Sequence, residues 1–364
     1  MELSAWDYAA VFAVTLSFAL LLTPTALRIA IRRRILDHPG EIKAQAAAVP
    51  YLGGVAIVLS FTAVVVIAVL VRPPVSGGGQ VIAVLGTAMA LALMGLIDDL
   101  RGLSPWLRLL LEIAAGVLVW RLDFGTDLFH GGFEDAVITV AWVVGVTNAL
   151  NLLDNMDGLS AGVSVIASLW FFAIAAANDQ FLVATLAIAL AGCASGFLRS
   201  NFHPARIYMG DAGSLFLGFM LAVIGMRLRF DGPSDVTFFV PILVLGIPMF
   251  DTSLVLVNRL LHGRNPMSGG RDHLSHRLVF VGIPVPVTVV LIYAAAASVG
   301  CLAYVVANVD RGPAFLLMGW VVAVGSVLGA LLSLVPVYDS SRRRHLMIQE
   351  VRGREEEPAD EEPS

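Results

Sequence analysis

Apolar residues in this chain gather in long unbroken runs separated by short polar breaks, with neither the alternation of a half-buried strand nor the one-sided stripe of a soluble helix. A helix needs roughly 20 predominantly apolar residues to cross a bilayer. Such runs predict about eleven spans, at 8–31, 52–72, 79–97, 106–122, 135–152, 157–177, 180–198, 211–228, 236–261, 285–308 and 313–337. The first run is too long for a cleaved signal peptide and no small-residue cleavage pattern follows it, so it reads as a span. The expected fold class is an all-α integral membrane protein: one polytopic bundle over 1–340, then a charged, Pro-containing tail over 341–364 expected to be disordered.

Composition agrees. The 364 residues are 58% apolar and only 14% charged, and the mean hydropathy of +0.83 excludes a soluble domain. The formal charge is −5, but six acids lie in the last ten residues, EEEPADEEPS, and without them the chain sums to +1. Sorting the loops into two alternating sets leaves Arg72, Arg121, Arg227, Arg229 and Arg311 on one side and the other 18 of the 23 basic residues on the opposite side. That asymmetry places the N-terminus outside and the C-terminus in the cytoplasm. Cys193 and Cys301 both sit in apolar runs, which argues against a disulfide framework or a zinc site.

The loops on the cytoplasmic side hold acids that a membrane bundle does not need. Asp98 and Asp99 end the third run in GLIDDLRGL; Asp154 and Asp157 interrupt the fifth and sixth in NALNLLDNMDGLSAG; Asp211 opens the eighth in YMGDAGS; Asp251 lies within the ninth, after Pro248. A charged group at the centre of a span costs about 2.5–3.5 kcal/mol on insertion scales. Adjacent carboxylates in such surroundings repel, and a cation relieves that. Asp98 and Asp99 alone could be solvated helix ends, Asp211 alone a helix cap, and Asp251 a partner for carbonyls freed by Pro248. Asp154 with Asp157, and Asn148 with Asn151, are each three residues apart and share a helix face, which is too polar for a lipid-facing turn. The ninth loop, HGRNPMSGGRDHLSHRL, carries Arg264, Arg271, Asp272, His273, His276 and Arg277. Arginine and histidine at that density suit phosphate oxygens; the alternative is a basic loop against anionic headgroups. His38, His130, His203, His262 and His345 lack such a setting and read as structural or solvated.

Four motifs in order resemble one family, the polyprenyl-phosphate N-acetylhexosamine-1-phosphate transferases: GLIDDLRGL, NALNLLDNMDGL, NFHPARIYMGDAGS and RDHLSHRL, spanning about 37–278 with the preceding DHPGEIKAQAAAVPYLGG. The resemblance implies a helical membrane bundle with a cytoplasmic cleft for a UDP-amino sugar and Mg2+, with Mn2+ an alternative. Carried over by motif, Asp211 would hold the metal with Asn151 a second ligand, and Asp98 and Asp99 would be the essential acids near the lipid phosphate. Asp154 and Asp157 would belong to the catalytic set with His273 and His276; Asp157 and Asn201 would contact uridine, with Tyr208 stacked on its ring. Lys43 matches a phosphate-binding lysine, and Asn148, Arg264, Arg271 and Arg277 would complete the substrate contacts. Ile42 and Gln45 stand where Arg and His are usual, Asn155 replaces a usual Gly, and Ser275 replaces a His. The last departure favours the GlcNAc-1-phosphate branch over the phospho-MurNAc-pentapeptide translocase.

The implied reaction transfers GlcNAc-1-phosphate from UDP-GlcNAc to polyprenyl phosphate at the bacterial plasma membrane, the first membrane step of a cell-envelope polysaccharide. The expected partners are the two substrates and the bilayer, with a homodimer left open and no nucleic acid. An ion-coupled transporter, the alternative of a different class, predicts acids spread through mid-membrane depth on broken helices. A CDP-alcohol phosphotransferase would need a D-G-x-x-A-R core, whereas Asp157-Gly158 is followed by Leu-Ser-Ala-Gly.

Overall fold

A computed structural model describes residues 4–37, 48–71, 78–129, 131–230 and 237–338; Lys43, Ile42, Gln45 and the 341–364 tail lie outside the described residues. The chain is a helical bundle: α1 (Ala5–Arg33), α2 (Gly53–Val71), α3 (Gly78–Arg101), α4 (Pro105–Arg121), α5 (Phe133–Leu153), α6 (Leu159–Ala177), α7 (Phe181–Asn201), α8 (Gly210–Arg227), α9 (Phe239–Val244), α10 (Gly246–Leu261), α11 (Leu274–Phe280), α12 (Val285–Val306) and α13 (Arg311–Ser333). Among the described residues nine of these are long and apolar enough to cross a membrane. The other two expected spans appear in altered form. The fourth is α4, only 17 residues long. The ninth is broken into α9 and α10 at Leu245, because Pro248 has no N–H to give the Val244 carbonyl and the ladder cannot run through.

The centre of the bundle is α8, in which every residue from Ala212 to Met226 is buried. Around it stand α2, α3, α5, α6 and α7. The outer helices turn apolar side chains outward: only Ala314, Met318 and Leu332 of α13 are buried, while Leu316, Val322 and Leu331 are exposed. An apolar exterior around a packed core is what a bilayer solvates and water does not.

Two short strands, β1 (Leu36–Asp37) and β2 (Val49–Pro50), pair antiparallel with Leu36 opposite Pro50. Just past β2 the chain docks on the approach to α8: Tyr208 N–H donates to the Pro50 carbonyl at 2.8 Å, Gly53 N–H to Tyr208 at 3.0 Å and Gly54 N–H to Met209 at 2.9 Å. Glycine permits this closeness. A Cβ on Gly54 would fall on the backbone of Gly213, and one on Gly95 of α3 on the backbone of Asp211 and Ala212. The starts of α2 and α8 and the last turns of α3 therefore meet at one end of the bundle.

Overpacking a closed backbone crossing cannot be relieved by a rotamer change. Gly54→Leu should therefore abolish recovery of monodisperse protein in size-exclusion chromatography, while Gly319→Leu, where no atom lies within reach, should leave the elution profile unchanged.

Candidate active site

Acids at the C-terminal end of a helix face the negative end of its dipole, so Asp98 and Asp99 in the last turn of α3 need partners elsewhere. Asp99 finds them at the start of α8: its Oδ1 accepts the Asp211 N–H at 2.9 Å and its Oδ2 the Ala212 N–H at 3.3 Å. The carboxylate thus caps α8 across space. Gly210, at φ 67°, makes room, since a Cβ there would strike the Asp99 carboxylate. The Tyr51 hydroxyl donates to the Asp99 carbonyl at 2.9 Å. Asp98 Oδ1 accepts the Leu103 N–H at 2.5 Å.

A guanidinium that opens α4 joins these groups. Arg108 Nη1 lies 2.7 Å from Asp98 Oδ2 and 3.0 Å from Asp211 Oδ2, and Nη2 donates to Asn151 Oδ1 at 3.1 Å. Asn151 Nδ2 donates to Asp211 Oδ1 at 2.7 Å and to Ser214 Oγ at 2.9 Å. One turn further along α4, the buried Glu112 accepts from Asn148 Nδ2, which also donates to the Val144 carbonyl. The Asn148 amide hydrogens are thus engaged with Glu112 and its own helix.

The turn between α5 and α6 carries the next acids. No hydrogen bond reaches the Asp154 carboxyl among the described residues; burial, with Asp211, Asp99 and Asp157 around it, pushes that carboxyl up to about 8. Asp157 Oδ2 accepts the Ala205 N–H at 3.0 Å and lies 2.9 Å from His203 Nδ1. Beside it, burial and the Asp157 carboxylate raise the Tyr208 hydroxyl. Asn201 is buried and spends both amide atoms on backbone, accepting from Gly158 N–H at 3.1 Å and donating to the Ile207 carbonyl at 3.0 Å. It ties the Asp157 turn to the segment that bears Tyr208.

The ninth loop is built around a buried ion pair. Arg259 Nε and Nη2 grip Asp272 at 2.8 and 2.7 Å, and the Tyr338 hydroxyl donates to the same carboxylate at 2.8 Å; against the cost of burial these donors hold Asp272 down at about 2. Arg277 is fully buried, donating to the Asp272 carbonyl at 2.8 Å and the Leu332 carbonyl at 2.7 Å. It braces the loop through Nε and Nη1, while Nη2 is buried without a hydrogen-bond partner among the described residues. Arg264 is exposed and stacks on Tyr338 with its guanidinium 4.3 Å from the ring centre, and Arg271 is half-buried. Asp251 accepts the Leu274 N–H at 2.6 Å and lies 2.8 Å from His273 Nδ1, so it caps α11 and orients His273. His276 faces His273 edge-on with ring centres 6.1 Å apart; burial, His273 and Arg271 lower it to about 3. At neutral pH His276 offers a neutral imidazole rather than a cation. Two of the four departures from the family pattern meet each other: Ser275 Oγ donates to Asn155 Oδ1 at 2.6 Å, linking the fifth and ninth loops.

The donor set near α8 suits a hard cation: two carboxylates and an amide oxygen, all oxygen ligands. Asp98 Oδ2 is buried and, although 2.7 Å from Arg108 Nη1, accepts no aligned hydrogen bond, which leaves it a lone pair to offer an ion. Among the described residues no three acid, imidazole or thiol groups close into a ligand set as they stand, and Arg108 bridges Asp98 and Asp211.

Fold and site together define a polytopic membrane protein that concentrates acids and cations at the mouth of its bundle, where a headgroup and a soluble anion can meet. A family model described as glycosyl transferase family 4 matches residues 81–229. The chain is 31% identical over 291 residues to a probable undecaprenyl-phosphate N-acetylglucosaminyl 1-phosphate transferase of Bacillus subtilis, covering 78% of this chain and 80% of that protein. It is 30% identical over 346 residues to a decaprenyl-phosphate N-acetylglucosaminephosphotransferase of Mycolicibacterium smegmatis, covering 85% and 83%. A phospho-N-acetylmuramoyl-pentapeptide-transferase of Heliobacterium modesticaldum is 34% identical over 251 residues, covering 63% and 76%. The chain belongs to glycosyl transferase family 4, the polyprenyl-phosphate N-acetylhexosamine-1-phosphate transferases.

Sequence reading passed over Arg108, Glu112 and His203 as site residues. Glu112 was detectable, since a carboxylate inside the apolar run RLLLEIAAG carries the same insertion cost that singled out Asp251. His203 gave no such signal; only the fold brings it to Asp157.

An acid whose folded-state pKa is raised favours folding at low pH and destabilises progressively as pH climbs through that raised value. Asp154→Asn removes this titration. Its melting temperature relative to the unmodified protein, in EDTA, should rise between pH 6 and pH 9, and a pH-independent difference would contradict the placement of Asp154 among three other acids.

Proposed function

We propose that this protein transfers GlcNAc-1-phosphate from UDP-GlcNAc to polyprenyl phosphate, yielding polyprenyl-diphospho-GlcNAc and UMP. The observation that carries this reading is the convergence of Asp98, Asp99, Asp211, Asn151 and Arg108 on the start of α8, together with membership of the family. A lipid phosphate oxygen attacks the β-phosphorus of the nucleotide sugar, the bond from that phosphorus to the bridging oxygen breaks, and UMP leaves with the pair of electrons. Both reactants are anions, so neutralising charge precedes any need for a base. Asp211 and Asn151 would hold Mg2+, or Mn2+ in its place, which would supply charge neutralisation at the diphosphate. Asp98 and Asp99 stand beside the lipid phosphate, where either can take its last proton, and Asp154 lies in the turn that carries Asp157, as part of the same acid set. Asp157 and Tyr208 receive uridine, with Asn201 and His203 fixing Asp157 from behind. His273, set by Asp251, and neutral His276 donate to the sugar and phosphate oxygens with Arg264 and Arg271 around them; Lys43 joins from the first cytoplasmic loop.

The basic-residue asymmetry supports a plasma-membrane protein with its N-terminus outside and both the site and the C-terminus in the cytoplasm. There the reaction begins a lipid-linked envelope polysaccharide. A second reading, phospho-MurNAc-pentapeptide transfer, is favoured by the Heliobacterium relative; the Ser275–Asn155 link in place of a third histidine weighs against it.

With purified protein, polyprenyl phosphate and Mg2+, UMP should be released from UDP-GlcNAc and not from UDP-MurNAc-pentapeptide; the reverse pattern would establish the second reading. Asp211→Asn should lower UMP release by about a hundredfold or more while the protein elutes as before, and near-normal turnover would refute its assignment.

A further inference from the structure

Arg108 reaches the Asp211 and Asn151 oxygens that the proposed metal would use and, with them, the neighbouring Asp98 oxygen, which a metal seated there would also meet. Asp98 Oδ2, Asp211 Oδ2 and Asn151 Oδ1, from three different helices, all face this one guanidinium at 2.7, 3.0 and 3.1 Å. Acids brought this close in a poorly solvated place need a counter-charge or a proton, and a chain that folds before a divalent ion arrives can carry that counter-charge itself. Two details mark Arg108 as a replaceable one. Its contact with Asp98 Oδ2 is short but unaligned, leaving that oxygen without a hydrogen bond, so the guanidinium serves there as a charge and not as a fork. Four residues along α4, on the same face, Glu112 is 1% exposed and its Oε1 has no partner. A buried acid with an unspent oxygen is an open second seat for an arginine one turn away.

We infer that Arg108 is an exchangeable counter-ion: it holds the acid cluster together in the metal-free protein and turns towards Glu112 when a divalent ion takes the three oxygens. This rests on the reading of Asp211 and Asn151 as metal ligands. Binding then includes the cost of displacing Arg108, which weakens the apparent metal affinity. The released guanidinium stays beside the ion, within reach of a phosphate that the ion holds.

The test is a titration of the full-length protein in detergent with Mn2+ alone, free ion being followed by electron paramagnetic resonance. Arg108→Met should bind Mn2+ about tenfold more tightly than the unmodified protein, and Asp211→Asn should lose specific binding. Equal or weaker binding by Arg108→Met, with binding still lost in Asp211→Asn, overturns the counter-ion role and leaves the metal assignment standing. Retained binding in Asp211→Asn overturns the metal assignment itself. Should Arg108→Met not fold, Arg108→Lys decides the matter: one ammonium cannot span three oxygens, so it should bind more tightly than the arginine protein, and equal or weaker binding overturns the proposal. Glu112→Gln should weaken Mn2+ binding when Arg108 is present and have little effect in the Arg108→Met background; the same effect in both removes Glu112 as the second seat.

Discussion

The Asp99 carboxylate, at the end of α3, accepts the first amides of α8, and the geometry of the whole site follows from that contact. A side-chain cap of this kind contributes about 0.5–2 kcal/mol, and desolvating the carboxylate offsets part of it. Its larger effect is positional. To bring an α3 side chain onto the α8 start, the backbones must cross at Gly95 and Gly210, and the α2 start must close against Gly213 at Gly54. With α8 fixed there, Asp211 faces α4 and α5, where Arg108 and Asn151 reach it.

The same contact explains why the polar groups gather at one end of the bundle. The interior of α8 is apolar and fully buried from Ala212 to Met226, so a charged group deeper along it would meet no water and few partners. At its mouth the helix offers free amides, flanking loops offer Asp157 and His273, and the outer helices remain apolar towards lipid. Each acid is held by a group from a different element: Asp99 by α8, Asp98 by α4, Asp157 by the segment before α8, Asp251 by α11. Asp154 is the exception: no hydrogen bond reaches its carboxyl among the described residues, and burial among the other acids raises it. A polyprenyl phosphate confined to the bilayer and a nucleotide sugar arriving from water can meet only at such a boundary.

What could be read from the chain divides along this line. Asp98, Asp99, Asp154, Asp157 and Asp211 were legible because a carboxylate beside an apolar run has no ordinary reason to be there, and the bundle because twenty apolar residues have few other uses. The break at Leu245 was half legible, in that Pro248 predicts a disturbed ladder but not where the helix resumes. The packing of Asn201 and Arg277 was not: which segments an amide or a guanidinium ties together is known only once its partners are seen. Nor does spacing tell that Arg108, counted as a topology signal, sits between Asp98 and Asp211, or that Asn155 and Ser275, 120 residues apart, bond to each other.

The claim on which these arguments converge is that one site, at the mouth of α8, joins a lipid phosphate to a nucleotide sugar. Incubating the purified protein with polyprenyl phosphate and UDP-GlcNAc labelled at the β-phosphorus, and following the label into the lipid fraction, addresses it without intermediaries. Label and sugar should enter the lipid together as a diphosphate, with one UMP formed for each. Label appearing as free phosphate, or remaining wholly in the aqueous nucleotide while the protein is folded, would contradict it.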